Sequence, residues 1–258
     1  MASLLEAEQT IVNGEGTVSA PVDQILAVID GSPAFADLPP AARRALAGIC
    51  HEVRFSTGQR LVSITQPLTR VFILASGRAK LAGVTENGLE RILNVYHPGE
   101  IIGSRILLKE SPESPFEVVA ISDVRALTIA KRDFLAVGQE HPEILSRVTQ
   151  VLLKRIDRLA DWMLAAMSND ATVRLAKLLL DFAADQDVGD GELVELKHPL
   201  THETMAQMIG ASRPHTTSLL GTLEQRRAIR RLKPRGLLVS PPRLKAILQQ
   251  SGERDQAI

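Results

Sequence analysis

The side chains best suited to chemistry stand together in the C-terminal third of the chain, just after Gly210. An arginine is followed there by a histidine and several small hydroxyl residues, on a short helix whose leucines are expected to face inward. Guanidinium, imidazole and hydroxyl groups in this order can hydrogen-bond to base edges and phosphates, whereas a solvated helix face would mix Glu with Lys. The predicted DNA contacts of this helix are Ser212, Arg213, His215, Thr216, Thr217 and Ser218.

A dense cluster of positive charge follows this stretch, with six Lys and Arg residues between positions 226 and 235. Residues 197–245 hold ten Lys and Arg against two acidic residues, a net charge of +8. Because the whole chain has 30 Lys and Arg against 30 Asp and Glu, the rest of the chain carries −8. A polyanion should therefore bind the C-terminal third and be repelled elsewhere. The predicted phosphate contacts are Thr201, His202, Ser212, Arg226, Arg227, Arg230, Lys233 and Arg235.

Two short helices around a glycine turn are predicted to position these groups. Gly210 suits a left-handed helix end, Ser212 is a good N-cap, and Pro214 falls in a first turn where no intrahelical N–H is needed. This arrangement predicts a helix-turn-helix whose second helix enters the major groove, where Arg213 donates to guanine O6 and N7. An ordinary pair of packed helices is the alternative interpretation. The side chains expected to face inward are Met205, Met208, Ile209, Leu219, Leu220 and Leu223.

The segment LTHETMAQMIGASRPHTTSLLGTLEQRRAI resembles the winged helix-turn-helix of the bacterial cyclic-AMP-receptor/FNR (Crp/Fnr) superfamily of transcription regulators. The following IRRLKPRGLLV is similar to the family's wing, a hairpin after the recognition helix. The resemblance implies a base contact for Arg213, with double-stranded DNA and RNA polymerase as partners. Two family base-contact positions differ, because Pro214 replaces an acidic residue and Ser218 replaces a second arginine, so a different half-site is expected. The residues that carry the resemblance are Leu200, Thr201, Ala206, Gly210, Ser212, Arg213, Leu220, Leu223 and Glu224.

The middle of the chain has the period-two hydrophobicity of β-strands. From Val53 to Ala130, strand-like segments alternate with glycine-containing turns about every ten residues, which predicts an antiparallel sandwich or barrel. The segments VFILASGRAKL and YHPGEIIG resemble the cyclic-nucleotide-binding β-roll, a jelly roll, of the same superfamily. An unspecialised β-sandwich is the alternative. With the helices that precede and follow it, this pattern predicts an α+β fold class.

Five segments are expected along the chain. Residues 1–20 form a flexible arm, 21–138 the cyclic-nucleotide-binding-like effector domain, and 139–168 a dimerisation helix and hinge. Residues 169–250 form the winged helix-turn-helix, and 251–258 a frayed tail. With 258 residues, 45% of them hydrophobic and 3% aromatic, the chain can bury two modest aliphatic cores.

One long amphipathic helix is predicted from about residue 142, with apolar residues at three- and four-residue steps. About 25 residues at 1.5 Å rise span roughly 38 Å, a length that suits a two-helix coiled coil. The resemblance implies a dimer interface here, and a dimer would present two recognition helices about 34 Å apart to a palindrome. Packing onto the chain's own β domain is the alternative. The predicted interface residues are Leu145, Val148, Leu152, Ile156, Leu159 and Met163.

The predicted effector pocket departs from nucleotide-binding members at its phosphate site. The resemblance implies a Gly-Glu pair that contacts the ribose and an Arg-Ser or Arg-Thr pair that clamps the cyclic phosphate. Here Ser104 replaces the glutamate, and Ser114-Pro115 replace the arginine pair, which removes a charge and a backbone donor. Cyclic AMP in the usual mode is not expected; a small molecule, another nucleotide such as a cyclic dinucleotide, or no effector are the alternatives. The pocket candidates are Gly99, Glu100, Ile102, Gly103, Ser104, Arg105, Ser114 and Pro115.

Composition excludes several other classes. Cys50 is the single cysteine, so neither an intrachain disulfide nor a four-cysteine iron–sulfur or metal site can form. The histidines show neither a haem-ligand nor a metal-site pattern, including His198, His202 and His215. No nucleophile–base pair or Gly-rich phosphate loop predicts an enzyme, and the alternative of a different class is a sensor or interaction protein that does not act on DNA. Without a run of ~20 apolar residues or a signal-like N-terminus, we expect a cytoplasmic protein with no membrane partner.

Overall fold

The computed structural model describes residues 21–64, 66–107, 114–167, 170–184, 193–196, 200–232 and 236–255. Two compact units divide the chain, one ending at Arg155 and the other beginning at Ile156. The arm predicted for residues 1–20 lies outside the described residues.

Antiparallel strands build the first unit, after two helices, α1 (Val22–Asp30) and α2 (Pro40–Gly48). These strands form two four-stranded sheets, with the orders β1-β8-β3-β6 and β2-β7-β4-β5. The β-roll predicted from the period-two pattern is therefore confirmed. The strands are β1 (His51–Phe55), β2 (Arg60–Val62), β3 (Arg70–Ser76), β4 (Ala79–Val84), β5 (Glu90–Tyr96), β6 (Ile101–Ile102), β7 (Glu117–Ala120) and β8 (Val124–Ala130), with a 3-10 turn at Ser104–Leu107 after β6.

The turn between β3 and β4 requires glycine. Gly77 has a φ of +84°, and a Cβ atom at this position would lie 2.1 Å from the backbone oxygen of Asp123. Inside the roll the core is mainly aliphatic, and the rings of Phe55 and Phe72 meet edge to face with centroids 5.8 Å apart. Gly77, one of the regularly spaced glycines, is therefore required because the β3–β4 turn lies against the backbone at Asp123.

Two helices complete the first unit, α3 (Lys131–Glu140) and the first half of the 26-residue α4 (Pro142–Met167). Val148 is fully buried, and Leu145 and Leu152 pack against the same β-roll core. The prediction that Val148 lines a dimer interface is therefore wrong, because this side chain is fully buried in its own domain; Leu145 and Leu152 are half-buried against the same core. Arg147 fixes the helix further by donating from Nη2 to Asp37 Oδ2 at 3.1 Å.

The second half of α4 differs from the first in its exposure. Ile156, Leu159 and Met163 are 59%, 50% and 70% exposed. Asp161, on the same half, lies 3.4 Å from Lys177 Nζ, which also donates to Asp181 at 2.9 Å. Lys177 thus connects the second half of α4 to α5, while the apolar side chains Ile156, Leu159 and Met163 of α4 remain exposed to solvent.

The second unit continues with four more helices and a small antiparallel sheet of order β10-β11-β9. Its hairpin, β10–β11, is the predicted wing. The last helix continues to Asp255, into the segment predicted to be a tail, and residues 256–258 lie outside the described residues. The elements are α5 (Ala171–Ala184), β9 (Val194–Glu195), α6 (His202–Ile209), α7 (Arg213–Gln225), β10 (Ile229–Leu232), β11 (Gly236–Val239) and α8 (Pro241–Asp255).

Helix α5 supports the helix pair that follows it. Asp170 caps α5 by accepting from the Thr172 N–H at 2.7 Å. Arg174 donates from Nε to the Ile209 carbonyl oxygen at 2.9 Å and so satisfies the end of α6. Among the described residues, no helix is both long and apolar enough to cross a membrane.

Candidate nucleic-acid interface

Capping groups and a glycine turn define the ends of α6 and α7 where the two helices meet. Thr201 Oγ1 accepts from the Thr204 N–H at 3.0 Å at the start of α6. Gly210 ends that helix in the left-handed region, with φ 67° and ψ 36°. Ser212 Oγ then accepts from the His215 N–H at 3.3 Å and starts α7. The cap and turn roles predicted for Ser212 and Gly210 are therefore confirmed.

The first turns of α7 expose most of the predicted base-contacting side chains. Arg213, His215, Thr217 and Ser218 are all exposed, on the side opposite the buried leucines of the helix. Thr216 is different: it is fully buried, and its hydroxyl donates to the Ser212 carbonyl oxygen at 3.0 Å. The prediction that Thr216 contacts DNA is wrong, because its position on the helix places it between α7 and the core.

His202 and Thr217 form a contact between the two helices. His202 Nδ1 lies 2.9 Å from Thr217 Oγ1, and this hydroxyl also lies 3.0 Å from the Arg213 carbonyl oxygen, to which it donates. Burial, followed by the positive charges of Arg231 and Arg213, lowers the pKa of the His202 imidazole. Both residues are predicted to contact DNA, and the hydrogen bond between them holds them next to each other on the surface.

The wing and the turn before it contain exposed cations and one internal ion pair. Arg226, Arg227 and Arg230 are exposed, and Arg227 has a left-handed φ of 56°. Arg231 instead binds Glu224, with its backbone N–H 3.0 Å from Oε1 and its Nε 2.8 Å from Oε2. These hydrogen bonds, with the adjacent guanidinium charge, lower the pKa of the Glu224 carboxyl. Two further predicted contacts, Lys233 and Arg235, lie outside the described residues.

The predicted effector residues around β6 are largely engaged in the fold itself. Gly99 has a φ of +90°, and its carbonyl accepts from the buried Ser32 hydroxyl at 2.6 Å. A Cβ atom at Gly103 would lie 2.7 Å from the Arg70 carbonyl oxygen. Ile102 is fully buried in the core. These three positions are therefore explained by turn geometry and packing.

At the two predicted phosphate-clamp positions, Ser114 and Pro115, the described structure shows no side-chain donor that is free for an anion. Ser114 is buried, and its hydroxyl donates to the Phe116 carbonyl oxygen at 2.6 Å. Pro115 and Arg105 are exposed, Ser104 is half-buried in the 3-10 turn, and Glu117 binds Arg60 Nε at 2.6 Å. Pro115 therefore offers neither a guanidinium nor a backbone N–H to a phosphate, and the Ser114 hydroxyl is already donated; residues 108–113 lie outside the described residues.

Sequence reasoning missed Arg155, on the long helix. Its guanidinium carbon lies 5.1 Å from the centroid of the Tyr96 ring, and its Nη2 lies 3.6 Å from Glu100 Oε1. Nε and Nη2 are buried and have no hydrogen-bond partner among the described residues. In the sequence Arg155 looks like one of several solvated charges on an amphipathic helix, and only the packing separates it from them.

Metal ligation finds no support in the described parts of the chain. Within those ranges, no group of three or more His, Cys, Asp or Glu side chains is placed to hold a metal ion. His202 and His215 lie on the exposed α6–α7 face, and His198, the third member of the sequence cluster, lies outside the described residues.

Comparison with known families divides the chain as the structure does. Residues 52–141 match the cyclic nucleotide-binding domain, and residues 173–247 match the Crp-like helix-turn-helix domain. The first match covers strands β2 to β8 and most of β1, and the second covers the helix-turn-helix with its wing.

Named relatives match over both parts. The CRP-like cAMP-activated global transcriptional regulator of Mycobacterium tuberculosis is 27% identical over 219 residues, which cover 85% of this chain and 96% of that protein. The cyclic AMP receptor protein of Thermus thermophilus is 30% identical over 161 residues, which cover 62% of this chain and 70% of that protein.

Two solved structures share the fold at lower identity. CooA of Carboxydothermus hydrogenoformans has a TM-score of 0.66 at 23% identity and covers 78% of this chain and 88% of its own. The c-di-GMP responsive global regulator CLP of Xanthomonas campestris has a TM-score of 0.63 at 15% identity and covers 78% of this chain and 99% of its own.

Proposed function

Because this chain belongs to the Crp/Fnr family of DNA-binding transcription regulators, whose members are not enzymes, we propose that it acts as a homodimer on palindromic DNA. Each copy would insert α7 into the major groove of one half-site. Since it acts on chromosomal DNA, we place it in the bacterial cytoplasm, with RNA polymerase as a further partner.

The exposed first turn of α7 carries this proposal. A helix that served only to pack would bury or neutralise its polar face, whereas Arg213, His215, Thr217 and Ser218 all point to solvent. Arg213 stands at the helix start, where a guanidinium can reach guanine O6 and N7. The cations Arg226, Arg227 and Arg230 lie beyond the end of the same helix and on the wing, where they can contact phosphates.

A second copy would cover the apolar residues of α4 that the first copy leaves exposed. Ile156, Leu159 and Met163 recur at steps of three and four residues, which is the spacing of a coiled-coil seam. Two copies joined along this seam would place their recognition helices on successive turns of one DNA face. We therefore restrict the proposed interface to the half of α4 from Ile156 onward.

Selection of bound duplexes from a random-sequence pool, with the purified full chain, tests this function. We expect enrichment of a palindrome whose half-site centres lie about one helical turn apart, and binding that weakens steeply with salt. The half-site should differ from the family's best-known one, because Pro214 and Ser218 alter two contact positions. A chain that retained no duplex even at low salt would contradict the proposal.

Arg155 supports a second proposal, for the effector domain. Nε of this buried guanidinium has no hydrogen-bond partner among the described residues, which leaves a donor for an anion, while Nη2 is paired with Glu100 Oε1 at 3.6 Å. We propose an anionic effector, such as a nucleotide, that binds at Arg155, and no cyclic AMP binding through Ser114 and Pro115. The relatives differ in their effectors, cAMP for the Mycobacterium regulator and c-di-GMP for CLP.

Thermal melting with cyclic AMP, cyclic di-GMP and inorganic phosphate tests the effector proposal. At least one of these anions should raise the melting temperature of the wild type, and Arg155→Gln should abolish that increase. Lys154→Glu, a change at the neighbouring exposed position, is the matched control and should keep the increase. A shift that survives Arg155→Gln would place the ligand elsewhere.

A further inference from the structure

His202 has a defined protonation pattern in the helix-turn-helix. Thr217 has a single hydroxyl proton, and donating it to the Arg213 carbonyl oxygen leaves only lone pairs toward His202. His202 Nδ1, 2.9 Å from that oxygen, must therefore carry the imidazole proton and donate it. Nε2 is then the basic nitrogen, and it is the atom at which a second proton would be bound.

Burial and the nearby positive charges disfavour protonation of the His202 imidazole in the free protein. Arg213 on α7 and Arg231 on β10 act on it, and the carboxylate of Glu224 on α7 is bound to Arg231. On α6 itself Glu203 is exposed, and from α5 Arg174 binds the opposite end of the helix. Burial and the two arginines lower the pKa of His202, and its place in the first turn of α6 puts the positive end of the helix dipole beside it.

We propose that His202 takes up a proton from solvent when DNA binds, so that the affinity of this chain for duplex DNA falls as pH rises. The inference rests on the proposed DNA-binding function. A backbone phosphate at the α6–α7 junction neutralises the field of Arg213 and Arg231 and presents an anion to the imidazole. In that setting the protonated form, with Nδ1–H on Thr217 and Nε2–H on phosphate, is the stable one.

The sign of the effect follows from the linkage between protons and DNA. The free protein binds fewer protons at His202 than the complex does, so lowering the pH favours the complex. Each shift of one pKa unit on binding is a tenfold change in affinity per DNA-binding domain. Because phosphate contacts do not depend on sequence, a duplex of random sequence shows the effect as well as a specific site does.

Fluorescence anisotropy with a labelled random-sequence duplex of about 40 base pairs, at low salt, tests this proposal. Between about pH 5.5 and 7.5 we expect the wild-type affinity to fall by roughly tenfold per domain. His202→Gln keeps a donor for Thr217 but cannot titrate, so its affinity should be independent of pH. His202→Arg carries a fixed charge and should bind at pH 7.5 as wild type binds at the lower pH.

Two other histidines provide matched controls. His51→Gln changes an exposed β-roll residue and should leave both the affinity and its pH dependence unchanged. His215→Gln removes the other imidazole of the DNA face; if this change, and not His202→Gln, abolishes the pH dependence, the proton is taken up at His215 and the proposal is wrong. If the slope persists in His202→Gln, the proton is taken up elsewhere and the proposal is wrong.

The two proposals fail in different ways. Wild-type protein that binds the duplex equally at all pH values overturns the proton linkage but keeps the DNA-binding function. Protein that binds no duplex at any pH overturns the function itself. Imidazole NMR titrations add a direct measurement: the His202 pKa should lie below 6.5 in the free protein and rise when the duplex is added.

Discussion

The carboxylate of Glu224 binds both the backbone N–H and the guanidinium of Arg231, and so joins the end of the recognition helix to the wing. The donor distances are 3.0 Å from the backbone nitrogen and 2.8 Å from Nε. Glu224 is one of two acidic residues in the basic segment 197–245, and it faces one of the ten cations. The contact joins the hairpin to α7 and neutralises one positive charge on the surface that we propose contacts DNA.

Replacing Glu224 should strengthen non-specific DNA binding. Glu224→Gln frees the Arg231 guanidinium, which adds about one phosphate contact and steepens the slope of log affinity against log salt by roughly 0.9. Stability should fall by less than about 1 kcal/mol, because both side chains are about a third or more exposed. Anisotropy at several salt concentrations measures the slope, and an unchanged slope would mean that Arg231 does not reach DNA.

The same pair makes stability depend on acid. The pKa of Glu224 is lower in the folded protein than its usual value, so its contribution is fully present above the unfolded pKa of about 4.3. That contribution is lost as pH falls through the lower, folded pKa. The difference in unfolding free energy between wild type and Glu224→Gln should therefore be constant near neutral pH and shrink below about pH 4. Denaturant titrations across this range measure it, and a difference that grew in acid would have the wrong sign.

Arg213 should determine specificity, whereas Arg226 should not. Arg213→Ala is expected to cost about 1–3 kcal/mol on the selected palindrome and little on random duplex, because a bidentate base contact is lost. Arg226→Ala is the matched control, since the same side chain is removed from a position suited to phosphate, and it should weaken both duplexes equally. Competition binding with the two duplexes measures the ratio; equal losses for Arg213→Ala would identify a phosphate contact.

The sequence predicted the elements of this site better than the roles of single residues. Caps and turns depend on local backbone chemistry, so Ser212 and Gly210 could be identified from their neighbours alone. The prediction that Thr216 contacts DNA was wrong because the sequence does not distinguish a buried hydroxyl residue on a helix from its exposed neighbours. Arg155 was missed for a similar reason, since its burial depends on Tyr96 and Glu100, which are far away in the sequence.

Val148 should contribute to the stability of its own domain and not to association. Val148→Ala removes two methyl groups from a fully buried position and should lower the unfolding free energy by about 2 kcal/mol. Val84→Ala makes the same chemical change at a position that is 64% exposed, so its effect should stay within about 0.5 kcal/mol. Urea unfolding compares the two variants, and equal effects would contradict the burial of α4 against the β-roll.

Met163 should behave in the opposite way, because it lies on the half of α4 that stays exposed. Met163→Glu places a charge on the proposed seam and should shift dimer to monomer while each domain stays folded. The control is Lys154→Glu, which introduces the same side chain on the other face of the helix and should leave the dimer intact. Sedimentation velocity measures the mass of each variant, and circular dichroism confirms the fold. A Met163→Glu dimer as stable as the wild-type dimer would remove this seam from the interface.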